Sequence, residues 1–258
     1  MGSCHKSYFR EDHFSGGRPR APVVILSLPS PEALAAVVDG TTGLLQSKSS
    51  NLIVIETSTL PIDAKQRALD LLSPRGVHLL DCPLSGTGAQ ARNKDLVVFA
   101  SGDETAFRSC NLIFDAMSRR QVYLGAFGNG TIMKLLANHL VTIHNVAAGE
   151  AMALGQKAGL DPQLIYDALT DSAGSSRMFQ VRGLLMVSGR YDDATAKVTT
   201  ILKDINIISE FARRLNTPMP LFAAASQYYF AAVEQGRGDQ DCASVCAVSE
   251  YFAGIRRN

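Results

Sequence analysis

The sequence predicts a parallel α/β domain followed by an all-helical domain. Short apolar runs rich in β-branched residues alternate with amphipathic helical stretches over residues 22–126, a pattern typical of a parallel sheet covered by helices on both faces. From residue 127 onward the sequence contains long helical stretches and no strand-like run. We therefore expect a flexible extension over residues 1–21, an α/β domain over 22–126 and a helical domain over 127–258.

Five runs of the α/β domain are predicted strands. They are Val23–Leu28, Leu52–Thr57, Val77–Cys82, Leu96–Ser101 and Gln121–Gly125. Three helices are predicted between them, over 30–40, 61–76 and 103–117. Ser30 and Asp103 are the expected N-caps of the first and third of these helices, because their side chains can accept hydrogen bonds from the first turn.

The second domain is predicted to consist of helices joined by turns that contain Gly or Pro. The helical stretches are Thr131–Ala158, Pro162–Asp171, Val198–Leu215, Pro218–Gln235 and Cys242–Gly254. The first of them follows directly on the α/β domain, so we expect one long helix to join the two domains.

Composition excludes several classes of partner. A formal net charge of +1, with basic residues scattered along the chain, gives no reason to expect binding to nucleic acid or to an anionic membrane surface. No apolar run approaches the roughly 20 residues of a membrane span. Five widely spaced cysteines favour buried thiols over disulfides or a metal site, and hence a reducing compartment, which we expect to be the cytoplasm. The expected partners are small molecules or further copies of the chain.

The stretch FGNGTIMKLLANHL begins with glycines and continues into the long helix. At 3.6 residues per turn, Lys134, Asn138 and Asn145 project from one face, and Thr131 and Thr142 flank this polar stripe. The other faces are apolar, so the helix is expected to be mostly buried. A lone lysine of this kind is commonly a solvated side chain, but an ammonium group that loses hydration can exchange protons near neutral pH. The pattern alone leaves both interpretations open.

Four motifs, in order and spacing, resemble the β-hydroxyacid dehydrogenase family, whose members include 3-hydroxyisobutyrate dehydrogenase, tartronate semialdehyde reductase and L-threonate dehydrogenase. The motifs are ETSTLP, DCPLSGTGAQA, GNGTIMKLLAN and KDI, and the resemblance covers about residues 22–254. It implies a Rossmann-type sheet, a helical substrate domain, and hydride transfer between NAD or NADP and a small β-hydroxy acid. It also implies a homodimer or homotetramer.

The resemblance assigns roles residue by residue. Lys134 takes the position of the general acid/base and Asn138 that of its companion, which holds substrate and lysine in register. The substrate carboxylate would be bound by Ser85 and by the backbone amides of Gly86 and Thr87. The cofactor contacts map onto Leu28, Pro29, Thr59 and Lys203.

The sequence departs from the family pattern at three places. Thr87 replaces a second glycine, which leaves the preferred acid open and suggests a polyhydroxylated, threonate-type acid, and Ala137 replaces the first asparagine of the helix motif. The G-x-G-x-x-G turn that holds the cofactor pyrophosphate is missing. We therefore expect an N-terminally truncated Rossmann-type sheet, with Val23–Leu28 as an open edge. The alternative function is a non-catalytic binding or assembly module with impaired cofactor binding.

Overall fold

The structure is a computed structural model, and it describes residues 22–47 and 51–257. The predicted extension over residues 1–21 lies outside the described residues. The chain consists of two compact units. One unit ends at Gly86 and resumes over Gln90–Lys134, and the other comprises Thr87–Ala89 and Leu135–Asn258.

A parallel three-stranded sheet lies in the first unit. Its strands are β1 (Val23–Leu26), β2 (Ile53–Glu56) and β3 (His78–Asp81), in the order β1-β2-β3. The three predicted strands are confirmed, each shorter by one or two residues at its ends. Within the described residues β1 pairs only with β2, so it lies at an edge of this part of the sheet.

Two helices cover this sheet and bury its apolar side chains. They are α1 (Pro31–Asp39) and α2 (Ile62–Leu72). The predicted N-cap at Ser30 is confirmed, since its Oγ accepts a hydrogen bond of 3.2 Å from the Ala33 amide. Leu34 of α1 and Leu72 of α2 pack in one buried cluster with Val54 of β2.

A second sheet of three strands follows in the same unit. It consists of β4 (Leu84–Ser85), β5 (Val97–Ala100) and β6 (Arg120–Tyr123), in which β4 is antiparallel and β6 parallel to β5. An isolated antiparallel bridge between Asp81 and Ser101 joins the two sheets. The strands β5 and β6 are confirmed predictions, whereas β4, the only antiparallel strand of the described residues, is too short to show a sequence pattern.

Three short helices accompany the second sheet. They are α3 (Gly88–Arg92), α4 (Glu104–Ser109) and α5 (Asn111–Met117). The N-cap at Asp103 is confirmed by a 2.7 Å hydrogen bond from the Ala106 amide to its Oδ1. The single helix predicted over 103–117 is wrong in one respect, because the backbone leaves helical geometry at Cys110 and divides it into α4 and α5.

The remainder of the described chain is helical, as predicted. The helices are α6 (Asn129–Lys157), α7 (Pro162–Leu169), α8 (Arg177–Ser188), α9 (Val198–Arg214), α10 (Pro220–Glu234) and α11 (Val245–Phe252). Helix α8 was not predicted, because its buried positions include Arg182 and Gly183, which interrupt the apolar period. A β-carbon at Gly183 would lie 2.4 Å from the ring of Tyr166, so glycine permits the close packing of α7 and α8.

Four of the five cysteines lie within the described residues. Cys82, Cys110, Cys242 and Cys246 are free and buried, which confirms the predicted thiols for these four; Cys4 lies outside the described residues. No helix in the described part of the chain has both the length and the apolar character to cross a membrane. Residues 22–47 and 51–257 also contain no group of three or more His, Cys, Asp or Glu side chains that could hold a metal ion.

Candidate active site

Two glycines at the start of α6 are required, Gly128 by its backbone conformation and Gly130 by packing. Gly128 has φ +95°, in the left-handed region that favours glycine. At Gly130 an added β-carbon would lie 2.4 Å from the backbone oxygen of Phe99 and 2.6 Å from that of Asp81. The first turn of α6 therefore lies directly against the ends of β3 and β5, at a distance that only glycine permits.

A carboxylate of the protein itself caps α6. Asp81 Oδ2 accepts a 2.7 Å hydrogen bond from the Thr131 amide, and its Oδ1 accepts one of 2.8 Å from the Thr131 hydroxyl. The Gly130 amide donates to Ser101 Oγ at 2.9 Å. An anion at the N-terminus of a helix is favoured by the helix dipole, and here the anion is the side chain that ends β3. The glycine-rich stretch thus allows the start of α6 to pack against the strands and to be capped by Asp81.

A buried lysine neutralises this carboxylate. Lys65 of α2 is 1% exposed, and its Nζ lies 2.8 Å from Asp81 Oδ1 and 2.6 Å from Glu56 Oε2. Nζ also donates to the backbone oxygen of Ser58 at 2.7 Å. Burial by itself lowers the pKa of the Lys65 ammonium, but the charges of Asp81 and Glu56 and their hydrogen bonds outweigh it, so the pKa is raised. Lys65 is therefore a cation throughout the physiological range.

The structure brings together the loops that carry three predicted cofactor residues. Leu28 and Pro29 follow β1, and Thr59 follows β2. The Leu28 amide donates a 2.7 Å hydrogen bond to the side chain of Ser58, the residue before Thr59, and the Ser58 amide donates to Glu56 Oε1 at 2.9 Å. These two loops are consequently tied to each other and to the carboxylate that ends β2.

The loops after β1 and β2 fit part of a nicotinamide dinucleotide. Ligands of open α/β sheets bind outside the carboxyl ends of the strands, where Leu28 and Thr59 are half-buried and Pro29 is exposed. Apolar surface beside a few polar groups suits an aromatic ring and its ribose. The pyrophosphate is normally held by the amides of a G-x-G-x-x-G turn, and no residue of this sequence is assigned to that role.

The predicted substrate loop also needs glycine. Ser85 ends β4, Gly86 has φ +137°, and a β-carbon at Gly86 would lie 2.6 Å from the side chain of Leu96. The side chains of Ser85 and Thr87 are half-buried. This turn leads from β4 into α3, so the backbone amides of Gly86 and Thr87 lie between the end of the strand and the start of the helix.

The polar stripe of α6 faces inward. Thr131, Asn138, Thr142 and Asn145 are buried and Lys134 is half-buried. The expectation that the helix is mostly buried requires correction, because several of its large apolar side chains are exposed: Met133, Leu136, Leu140 and Leu154. These residues are exposed while the polar stripe of the same helix is buried.

Asn138 and Lys203 meet on one carboxylate. Asn138 Nδ2 donates a 2.6 Å hydrogen bond to Asp204 Oδ2, and Lys203 Nζ lies 3.5 Å from Asp204 Oδ1. Asp204 is buried, whereas Lys203 is half-buried. Because a carboxylate only accepts hydrogen bonds, Asp204 fixes which end of the Asn138 amide faces it, namely the nitrogen.

Asn145, the third amide of the stripe, has a different environment. Its Nδ2 lies 3.4 Å from the Tyr229 hydroxyl and 3.5 Å from the Cys242 sulfur, inside the helical unit. All three residues are fully buried. Asn145 is therefore part of the packing between helices, and this packing explains why an amide lies at that position of the stripe.

Sequence reasoning missed Glu56, Lys65, Asp81 and Asp204 as members of the site. Three of them, Glu56, Asp81 and Asp204, nevertheless break a local apolar pattern. Glu56 and Asp81 end two buried strands, and Asp204 lies on the buried face of α9 with Ile201, Ile205 and Ile208. A charged residue in such a position is rarely buried unless it is paired, and this is the signal that could have identified them.

Comparison with known proteins identifies the family. Residues 16–125 match the family described as "NAD binding domain of 6-phosphogluconate dehydrogenase", and residues 128–249 match "NAD-binding of NADP-dependent 3-hydroxyisobutyrate dehydrogenase". The chain is 32% identical over 237 residues to an L-threonate dehydrogenase of Cupriavidus necator, which covers 92% of this chain and 78% of that protein. It is 28% identical to the mitochondrial 3-hydroxyisobutyrate dehydrogenase of Mus musculus, over 88% of this chain and 69% of that protein.

A solved structure agrees with these relatives. A 3-hydroxyisobutyrate dehydrogenase from Salmonella typhimurium superposes with a TM-score of 0.80 at 27% identity, covering 89% of this chain and 80% of that one. The motifs, the fold and the relatives lead to one conclusion. The chain belongs to the β-hydroxyacid dehydrogenase family of NAD(P)-dependent enzymes.

Proposed function

We propose that this protein oxidises a small β-hydroxy acid, or reduces the corresponding carbonyl compound, with Lys134 as general acid/base. The observation that supports this most directly is the meeting of Asn138 and Lys203 on the buried Asp204. The family assigns one of these residues to the substrate and the other to the cofactor, and a shared carboxylate explains how both are held. The NAD(P) cofactor supplies the hydride acceptor in oxidation and the hydride donor in reduction.

In oxidation, Lys134 Nζ accepts the proton of the substrate hydroxyl group as hydride leaves the carbon that bears it. In reduction, the same group returns a proton to the carbonyl oxygen. Asn138 acts one helical turn away, where Asp204 holds its amide and the amide oxygen is available to accept a hydrogen bond from a hydroxyl or ammonium group. The substrate carboxylate is bound by the Ser85 hydroxyl and by the amides of Gly86 and Thr87.

The substrate class that we propose is a polyhydroxylated acid of the threonate type. Thr87 adds a hydroxyl group where the family pattern has glycine, and a polar side chain in the carboxylate loop favours an acid with additional hydroxyl groups. Several relatives at 31–32% identity are L-threonate dehydrogenases. L-threonate is therefore the first substrate to assay, with 3-hydroxyisobutyrate as the comparison.

The test is a pair of lysine substitutions on one helix. Lys134→Ala should lower kcat by about 10²-fold or more, with binding of NAD(H) or NADP(H) little changed. Lys157→Ala, at the exposed C-terminal end of α6, is the matched control and should leave kcat unchanged. Equal kcat in the two variants would remove Lys134 from the mechanism. A wild-type protein that binds cofactor but turns over neither acid would reject the proposed substrate class.

We also propose that the protein acts in the cytoplasm as a homo-oligomer. Large apolar side chains are exposed on the helical unit, among them Leu154 at 73%, Tyr251 at 70% and Phe252 at 63%. Such groups commonly mark surfaces that are covered in an assembly. Light scattering during size-exclusion chromatography tests the oligomeric state, and a monomer at micromolar concentration would contradict this part of the proposal.

A further inference from the structure

Two buried carboxylates lie side by side at the ends of neighbouring strands. Glu56 of β2 and Asp81 of β3 are register partners in the parallel sheet, and both are fully buried. Like charges in adjacent positions destabilise a sheet, and buried charges require a partner. The Nζ of Lys65 lies within 2.8 Å of both carboxylates and supplies this partner.

From Asp81 the contacts continue to the helix that carries Lys134. Both oxygens of Asp81 accept hydrogen bonds from Thr131, and Ser101, which donates to Asp81 Oδ2 at 3.2 Å, in turn accepts from the Gly130 amide. Lys134 follows Thr131 by three residues, so its backbone belongs to the next turn of the same helix. The position of that turn depends on the position of the Asp81 carboxylate.

From Glu56 the contacts continue to the loops after β1 and β2. Glu56 Oε1 accepts from the Ser58 amide, the Ser58 hydroxyl accepts from the Leu28 amide, and Lys65 itself donates to the Ser58 backbone oxygen. These loops carry Leu28, Pro29 and Thr59, the positions assigned to the cofactor. One ammonium group thus contacts the hydrogen-bond networks of both the helix and the loops.

We propose that Lys65 is a positioning residue, whose charge holds Glu56 and Asp81 together and thereby fixes the start of α6 and the loops after β1 and β2 in one arrangement. The catalytic part of this inference rests on the proposed role of Lys134. Without the ammonium group, two buried carboxylates face each other, and one must move or take up a proton. If Asp81 moves or is protonated, the hydrogen bonds that hold Thr131 are weakened, and if Glu56 does so, the hydrogen bond that holds the Ser58 amide is weakened.

The test uses charge compensation. Lys65→Met removes the cation and leaves two carboxylates, whereas Glu56→Gln combined with Lys65→Met restores the net charge of −1 that one lysine and two carboxylates have in the wild type. The double variant keeps Asp81 as a carboxylate and keeps an oxygen at position 56 that can accept from the Ser58 amide. Ser118→Ala is the control, because it removes a buried hydroxyl group that donates to the Phe114 backbone oxygen at 2.7 Å in the same unit.

The first measurement is native-state hydrogen exchange of the Gly130 and Thr131 amides, which requires neither cofactor nor substrate. We expect exchange to be about 100-fold faster in Lys65→Met, since breaking a buried ion pair is strongly destabilising, and to return most of the way in the double variant. Ser118→Ala should leave these two amides unchanged. Unchanged exchange in Lys65→Met, or a double variant at least as fast as the single one, would overturn the proposal.

The second measurement is kcat with L-threonate. It should fall in Lys65→Met and recover in the double variant, in parallel with the exchange rates. Accelerated exchange with unchanged kcat would overturn the catalytic part of the inference. If the wild type turns over no β-hydroxy acid, the proposed function fails while hydrogen exchange still decides the structural part.

If the Lys65→Met variant does not fold, a less disruptive pair of substitutions at Thr131 tests the same network. Thr131→Val removes the hydroxyl group that donates to Asp81 Oδ1 and leaves the ion pairs intact, whereas Thr131→Ser keeps a hydroxyl group. Exchange of the Thr131 amide should be about tenfold faster in the valine variant and near the wild-type rate in the serine variant. Equal exchange in both would overturn the proposed role of Asp81 in holding α6.

Discussion

Replacement of Gly130 by alanine should displace the first turn of α6. The added β-carbon would lie 2.4 Å from the Phe99 backbone oxygen, and β-carbons essentially never approach another heavy atom closer than 3.0 Å, so one backbone must move by at least about 0.6 Å. Both obstructing atoms belong to strands, which yield less readily than flexible side chains. The hydrogen bonds from Thr131 to Asp81, now 2.7 and 2.8 Å, would lengthen towards the limit of such bonds.

The expected cost is about 1–3 kcal/mol, the usual range for an overpacked core position. In a chain of this size each 1 kcal/mol lowers Tm by about 2–4 °C. A shift of the helix also displaces Lys134, and misplacement by about 1 Å can reduce turnover by about 10²-fold. Thermal unfolding and kcat are therefore the two assays for Gly130→Ala.

Gly88→Ala is the matched control. Gly88 begins α3, and an added β-carbon there would meet no atom within 4 Å. Alanine in a helix should stabilise the protein by about 0.5–1 kcal/mol relative to glycine. If Gly130→Ala unfolds at the same temperature as Gly88→Ala, the close approach of α6 to the strands is refuted.

Two further predictions concern the helical unit. Asp204→Asn should lower kcat by about 10- to 100-fold, because the Asn138 amide loses a charged acceptor. The control Asp239→Asn, at an exposed ion pair, should leave kcat unchanged. Equal kcat in the two variants would exclude Asp204 as the support of Asn138. Burial lowers the pKa of His139, so the unfolded chain takes up this proton at higher pH than the folded one and stability should fall as the pH drops below about 6.5. His139→Gln should lose less Tm between pH 7.5 and pH 5 than the wild type, and an equal loss in both would show that other groups cause the decline.

The sequence contained enough information to predict the elements whose patterns are long and regular. Five strands and most helices follow from apolar periodicity, and the caps at Ser30 and Asp103 follow from side-chain chemistry. Helix α8 was missed because Arg182 is buried through an ion pair with Asp241 at 3.1 Å, a contact 59 residues away along the chain. A local pattern cannot reveal a partner at such a distance.

The same limit applies to the site. The stripe with Lys134 and Asn138 could be predicted from helical spacing, but the support of Asn138 by Asp204 joins residues 66 positions apart. Likewise, Lys65 appeared to be one of several polar residues on an amphipathic helix until the structure placed it between two buried strand ends. Tertiary contacts, which the local sequence does not encode, decide which charged residues are interior.

The internal cap of α6 has a consequence for the cost of binding. The amides of Gly130 and Thr131 are ordered by Ser101 and Asp81 when the chain folds, so their loss of conformational entropy is part of folding. A ligand that binds the folded chain does not have to order this turn, so the free energy of binding is not reduced by that loss of entropy. The first turn of α6, which precedes Lys134, is therefore organised before any substrate is present.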